Sequence, residues 1–240
     1  MRRFILFFTL FTCLAAPLVH ADERAEAEQN IKKVLGELLP DEPVTRIRTT
    51  PFDNLYEVLM GPNVVYMSGD GRYIFKGDML DMQARENVSE IERSLARKRI
   101  FNTMSNDEYI EFSPDKADHL IYVFTDIDCS FCRRLHRDVP VLNSHGIGVR
   151  YLAYPRAGIN SSSFEMMQSV WCADDRKQAL TDAKNGKQIE SKQCKNPVEE
   201  EYNLGQKFGV RGTPAIYTEN GEELSGYVPP EQLIQIVQGP

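Results

Sequence analysis

Hydrophobic positions change their rhythm several times along the chain. Residues 4–19 form an apolar run behind Arg2 and Arg3. Ile31, Val34, Leu35, Leu38 and Leu39 then recur at the spacing of a helix lying on a core, and Pro40 and Pro43 close it. Short strand patterns at residues 44–49, 55–60, 64–68 and 72–75 are separated by turn chemistry, such as Gly61-Pro62-Asn63 and Gly69-Asp70-Gly71. One helix and four strands in so short a stretch bury little apolar surface, which favours pairing with a second copy or packing on the C-terminal domain. Ser89-Glu90-Ile91-Glu92 has the form of a capping box, with Ser89 as cap. The helix it opens carries only a thin apolar line, Ile91 and Leu95, among charges. That composition predicts a helix bridging two units in solvent.

From residue 109 the pattern becomes strand (109–112), strand (119–125), helix from Cys129, and strand (149–154). A polar, helix-rich insertion runs from Ser161 to about Phe208. A strand at residues 215–217, a turn at Asn220-Gly221, a short strand near Leu224 and a last helix from Pro230 complete the order. In that last helix Leu233, Ile236 and Val237 are expected inward. This predicts an α/β thioredoxin-like fold with a helical insertion, preceded by a small α+β domain.

The 240 residues carry a net charge of −7 and no basic stripe, which argues against a nucleic-acid partner. The apolar run, its two arginines and the small residue Ala21 read as a secretory signal over residues 1–21. Cys13 leaves with that signal, so five cysteines become four: Cys129, Cys132, Cys172 and Cys194. An even count in an exported chain favours disulfides over zinc.

The chemistry concentrates at Cys129-Ser130-Phe131-Cys132, where an apolar strand runs into a helix whose inward face is Leu135, Val139 and Leu142. Unpaired N–H groups and the dipole at a helix start stabilise a thiolate, which makes Cys129 the expected attacking sulfur. Cys132, one turn further in, can close a small ring and expel a bound thiol. The same spacing serves as half of a zinc site, and that alternative stays open on spacing alone. Gly212-Thr213-Pro214 sits directly before a strand, where a cis-proline loop would face the two cysteines. His136, Trp171 and the Met166-Met167 pair read as packed residues. The sequons at Asn87 and Asn160 are weak matches.

Together with the runs around Phe124-Thr125-Asp126, Tyr154-Pro155-Arg156, Trp171-Cys172-Ala173 and Gly226-Tyr227, these motifs resemble the DsbC family of periplasmic protein disulfide isomerases. The resemblance spans nearly all of the chain after residue 21. It implies a dimerisation domain over 22–81, a linker helix over 82–104 and a catalytic domain over 105–240. By the same likeness Cys129 is the nucleophile and Cys132 its resolving partner. Thr213, Pro214, Ser130 and Phe131 would contact substrate, and Cys172 and Cys194 would form a structural disulfide. No metal or cofactor is expected. The implied partners are misoxidised or unfolded exported proteins, a DsbD-type inner-membrane reductant and a second copy of the chain. The alternatives are a DsbG-like reductant of sulfenylated cysteines and a holdase chaperone. Two departures stand out: Ser130-Phe131 replaces the familiar Gly-Tyr, and Asp128 precedes the nucleophile where threonine is familiar. The carboxylate is expected to oppose the Cys129 thiolate by about one pKa unit at most, or else to cap the helix.

Overall fold

In the computed structural model, backbone is described for residues 16–224 and 226–239, and side chains from residue 22 within those ranges. Most of the sequence-predicted signal, and Cys13 with it, lies outside the described residues. No helix among them is long and apolar enough to cross a membrane. The described residues form two compact units, one of residues up to 60 and 64–77, the other of residues 61–63 and from 78 on.

In the first unit, α1 (Ala16–Leu38) packs on a four-stranded sheet of order β1 (Val44–Thr49), β2 (Leu55–Met60), β3 (Asn63–Ser68) and β4 (Ile74–Phe75). Its core joins Ala27, Ile31 and Leu35 of the helix to Ile47, Val58, Met60, Val65 and Met67 of the sheet. The helical stripe is shorter than its spacing predicts. Leu38 and Leu39 are exposed, because α1 ends at Leu38 and carries them past the sheet. At the sheet edge, β4 and its approach expose Tyr73, Ile74 and Phe75.

The second unit opens with a short hairpin, β5 (Leu80–Asp81) and β6 (Glu86–Asn87), then α2 (Val88–Thr103). A five-stranded sheet follows, built from β7 (Ile110–Phe112), β8 (His119–Thr125), β9 (Ile147–Ala153), β10 (Ala215–Thr218) and β11 (Glu223–Leu224), in the order β11-β10-β8-β9-β7. Strands β8 and β9 are parallel and the outer pairings antiparallel. The helices are α3 (Ser130–Ser144), α4 (Ser162–Trp171), α5 (Arg176–Lys184), α6 (Val198–Phe208) and α7 (Pro230–Gln238).

Alternation along β8 builds two cores. Ile121 and Val123 meet Leu135, Val139 and Leu142 of α3, Trp171 of α4, Leu180 of α5 and Leu233 of α7. Tyr122 and Phe124 face the other way, against Phe101 of α2 and Phe208 of α6. Ile236 of α7 and Met166 of α4 are exposed, against expectation, because each helix is covered along one line only.

The reading of α2 needs correction on two points. Its cap is Asn87, whose side chain accepts from the Glu90 N–H at 3.0 Å. Ser89 lies inside the helix, buried, and its hydroxyl accepts the Met79 N–H instead. Nor is its charged face simply solvated. Phe101 stacks on Tyr122 with ring centroids 3.9 Å apart, and buried Arg97 donates to the Gly221 carbonyl at 2.8 Å. Gly221 has φ +81°, and a Cβ there would meet the Ser94 carbonyl oxygen at 2.1 Å. Ile91 and Leu95, the thin apolar line of the sequence, are exposed.

Candidate active site

Strand β8 ends at Thr125, and a short loop, Asp126-Ile127-Asp128, turns the chain into α3. Asp126 holds that loop. Its carboxylate is 2% exposed and accepts from the Asp128 and Arg156 N–H groups, from the Arg156 guanidinium and from Ser163, all at 2.8–3.0 Å. Burial alone pushes its pKa up, but these hydrogen bonds more than offset it and hold the carboxyl below the usual range. Sequence patterns alone assign Asp126 and Arg156 no role. An acid three residues before a cysteine, followed by a distant arginine, gives no periodic signal.

Cys129 is the N-cap of α3, and its sulfur accepts the Cys132 N–H at 3.4 Å. As a thiol it donates to the Thr213 carbonyl at 3.0 Å. The Thr213–Pro214 bond is cis, and β10 starts at the next residue, so the loop before β10 faces the first cysteine. Cys129 and Cys132 are both free thiols. Hydrogen bonding from Cys132 is the largest influence on Cys129. With the Thr213 side chain and the α3 backbone N–H groups it outweighs burial and lowers the thiol pKa to about 5. Cys132 is wholly buried; burial, then its hydrogen bond to Cys129, raises its pKa far above the ordinary range. One sulfur is therefore poised as thiolate while the other keeps the shared proton. Cys129 is only 3% exposed, against 0% for Cys132, so a client must reach the sulfur past the loop that faces it.

Ser130 and Phe131 are both exposed beside the cysteines. Phe131 stacks on Tyr227 at 6.2 Å, and Arg134 lies 4.7 Å over the same Tyr227 ring. His136 is no base for Cys129. It is held between Tyr151 and Thr181, and burial, then the Lys184 charge, lowers its pKa to about 4. Cys172 and Cys194 form a disulfide 22 residues apart in sequence, which contributes roughly 3 kcal/mol in the chain-entropy picture. Among the described residues, no group of three or more His, Cys, Asp or Glu is placed to hold a metal ion.

Asp128 is positioned to act on Cys129 only weakly. Its side chain is 57% exposed and 3.6 Å from the Arg133 guanidinium, so its field at the sulfur is partly cancelled and screened. Asp128→Thr is expected to move the Cys129 pKa by well under about one unit. Thiolate absorbance against pH checks this, and a shift of a unit or more would mean the carboxylate acts on the sulfur directly. In the same measurement on the unmodified chain, the Cys129 thiolate should appear with a midpoint near pH 5. The Cys132 thiol should stay protonated through neutrality.

Residues 106–238 match the thioredoxin-like domain family, and residues 19–90 match the disulfide bond isomerase protein N-terminal domain family. The chain is similar to thiol:disulfide interchange protein DsbC of Escherichia coli strain K12. It is 35% identical over 228 residues, covering 94% of this chain and 92% of that protein. The DsbC protein of Dickeya dadantii is 32% identical over 237 residues, 99% of this chain and 95% of the relative. Among solved structures, a disulfide interchange protein from Neisseria gonorrhoeae superposes with a TM-score of 0.51 at 32% identity. That match covers 57% of this chain and 100% of that one.

Proposed function

The chain belongs to the DsbC family of thiol:disulfide interchange proteins and is a thiol-disulfide oxidoreductase; from there we propose that it works in the periplasm as a homodimeric protein disulfide isomerase and reductase, with Cys129 attacking and Cys132 resolving. The observation that carries this reading is the placement of the two sulfurs: Cys129 caps α3 opposite the Thr213–Pro214 loop, where a thiolate is favoured, and Cys132 is wholly buried one turn on, where burial keeps it neutral.

The Cys129 thiolate attacks a client disulfide. A Cys129–client bond forms, and the displaced client sulfur leaves as a thiolate that takes up a proton. An extended client segment can pair with the backbone at Thr213, and Phe131 and Ser130 offer exposed surface beside it. If another client thiol then attacks the mixed disulfide, Cys129 is released as thiolate and the client is re-paired without net oxidation. If Cys132 attacks instead, the client leaves reduced and the chain becomes oxidised. A DsbD-type membrane reductant would return it to the dithiol. Cys172 and Cys194, in the helical insertion, serve stability rather than exchange. The exposed residues at the β4 edge support pairing with a second copy.

The test is refolding of a scrambled multi-disulfide protein with catalytic amounts of the reduced chain. Catalysed recovery of native activity is expected, and the Cys129→Ala/Cys132→Ala variant should give none. Equal recovery with that variant would favour a holdase instead.

A further inference from the structure

The insertion carries a residue that the exchange scheme above does not use. Lys184, the last residue of α5, is 2% exposed. Its Nζ lies 2.7 Å from Thr125 Oγ1 and 5.1 Å from the centre of the Tyr151 ring. Among the described residues, no carboxylate lies within ion-pair distance of it. Thr125 is completely buried at the end of β8, and its hydroxyl, like the Lys184 charge, favours the ionised form of the equally buried Cys132. Lysine, threonine and the second cysteine thus lie in one buried group, with Nζ bonded to Oγ1 and both acting on the Cys132 sulfur. An amine in such a place is costly to keep charged and has no ion-pair partner to hold it so.

We infer that Lys184 is a positioning residue for the resolving step, holding and receiving the Cys132 proton through the Thr125 hydroxyl. This rests on the assignment of Cys129 as attacking and Cys132 as resolving sulfur. In the free dithiol Cys132 donates its proton toward the Cys129 thiolate. Once Cys129 is bonded to a client, that acceptor is gone, and a buried thiol must still ionise before it can attack. The S–H proton passes to Thr125 Oγ1 as the threonine proton passes to the Lys184 lone pair, leaving a Cys132 thiolate and an ammonium. The thiolate pair forms the Cys132–Cys129 bond. The Cys129–client bond breaks, and its electron pair leaves on the client sulfur, which is protonated from solvent. The two enzyme cysteines are oxidised, and the two client sulfurs, counting the one freed in the first attack, are reduced.

The charges around Lys184 agree with this role. Burial lowers its pKa to about 8, in the range where an amine can both take and release a proton near neutrality. Cys132, Asp126 and Cys129 favour its charged form, and Arg133 of α3 opposes it. His136 of α3, the Tyr151 ring of β9 and Thr181 of α5 complete the surroundings, with His136 neutral. Mixed-disulfide formation removes the Cys129 negative charge and so shifts Lys184 further toward the free amine that accepts the proton.

The experiment follows oxidised glutathione reacting with the reduced full-length chain by acid quench and mass analysis. It separates glutathionylation of Cys129 from release of glutathione by Cys132. The variants are Lys184→Met and Thr125→Val, each keeping approximate size, and their combination; far-UV dichroism verifies folding. Formation should be little changed, whereas release at pH 7 should slow roughly tenfold or more in each single variant. The wild-type release rate should level off near pH 8, and that of Lys184→Met should keep climbing with pH. The double variant should be no slower than the slower single one, since both break the same proton route. Release at the wild-type rate and pH profile in the folded variants would overturn the inference, as would losses that multiply in the double variant. If Lys184→Met does not fold, Thr125→Val carries the same test. A failure of glutathionylation at Cys129 in the unmodified chain would instead count against the assignment of the two sulfurs.

Discussion

Serine in place of Cys129 is expected to abolish both reduction and isomerisation, down to the uncatalysed rate. The thiolate is the nucleophile in exchange, and a hydroxyl at that position would not ionise near neutral pH. The loss should appear at every pH, while the unmodified chain loses rate only as pH falls through about 5, the value to which Cys132, Thr213 and the start of α3 bring its thiol. The same shift has a sign for stability. A thiol whose folded pKa is depressed stabilises the reduced fold fully above its unfolded value, and this contribution fades as pH falls toward about 5. Cys132 is raised, so its effect is opposite and confined to the alkaline side, where unfolding would free its proton. Denaturant titration of the reduced chain across pH 4 to 8 should therefore show stability rising with pH from this pair. Cys132→Ser, by contrast, should keep the first attack and accumulate mixed disulfides. Substantial turnover by Cys129→Ser would place the nucleophile elsewhere.

The second large effect concerns the first unit. A truncated chain of residues 78–240 keeps the hairpin, α2 and the whole active site. It should retain dithiol chemistry with small disulfides, sediment as a monomer and lose most isomerase activity on proteins. The starting point follows from local bonds: Asp78 accepts from Arg93 at 2.6 Å and from Asn87 at 2.9 Å, so an earlier cut is safer than one inside α2. The full chain should sediment as a dimer, because the β4 edge leaves backbone groups unpaired beside exposed Tyr73, Ile74 and Phe75. A truncated chain that remained dimeric would put the interface in the second unit.

Much of this was legible from residue patterns. The predicted bounds of β1, β2 and β8 coincide with those observed, and the inward line of α3 is buried as its spacing requires. Periodicity works where an element is covered on one continuous face. It failed at Leu38, Leu39, Met166 and Ile236, which continue a stripe beyond the surface that covers it. It failed also for α2, read as a helix bridging in solvent, because its contacts are made by Phe101 and Arg97, which lie off the Ile91–Leu95 line. The cysteine pair and the cis-proline loop could be named because their chemistry needs fixed residue types at fixed spacing. Asp126 and Lys184 could not. Each is a charged residue in a polar stretch, and only the fold reveals that it is buried beside the sulfurs. Nor did adjacency in sequence show that Arg133 lies 3.6 Å from the Asp128 carboxylate.

The most direct measurement uses the Cys132→Ser variant, mixed in reduced form with a disulfide-bonded client, quenched by alkylation and mapped by peptide mass analysis. A client peptide joined through Cys129, with Cys172 and Cys194 still bonded to each other, is the result this account predicts. A client joined through Cys172 or Cys194, or no covalent adduct alongside normal client re-pairing, would contradict it.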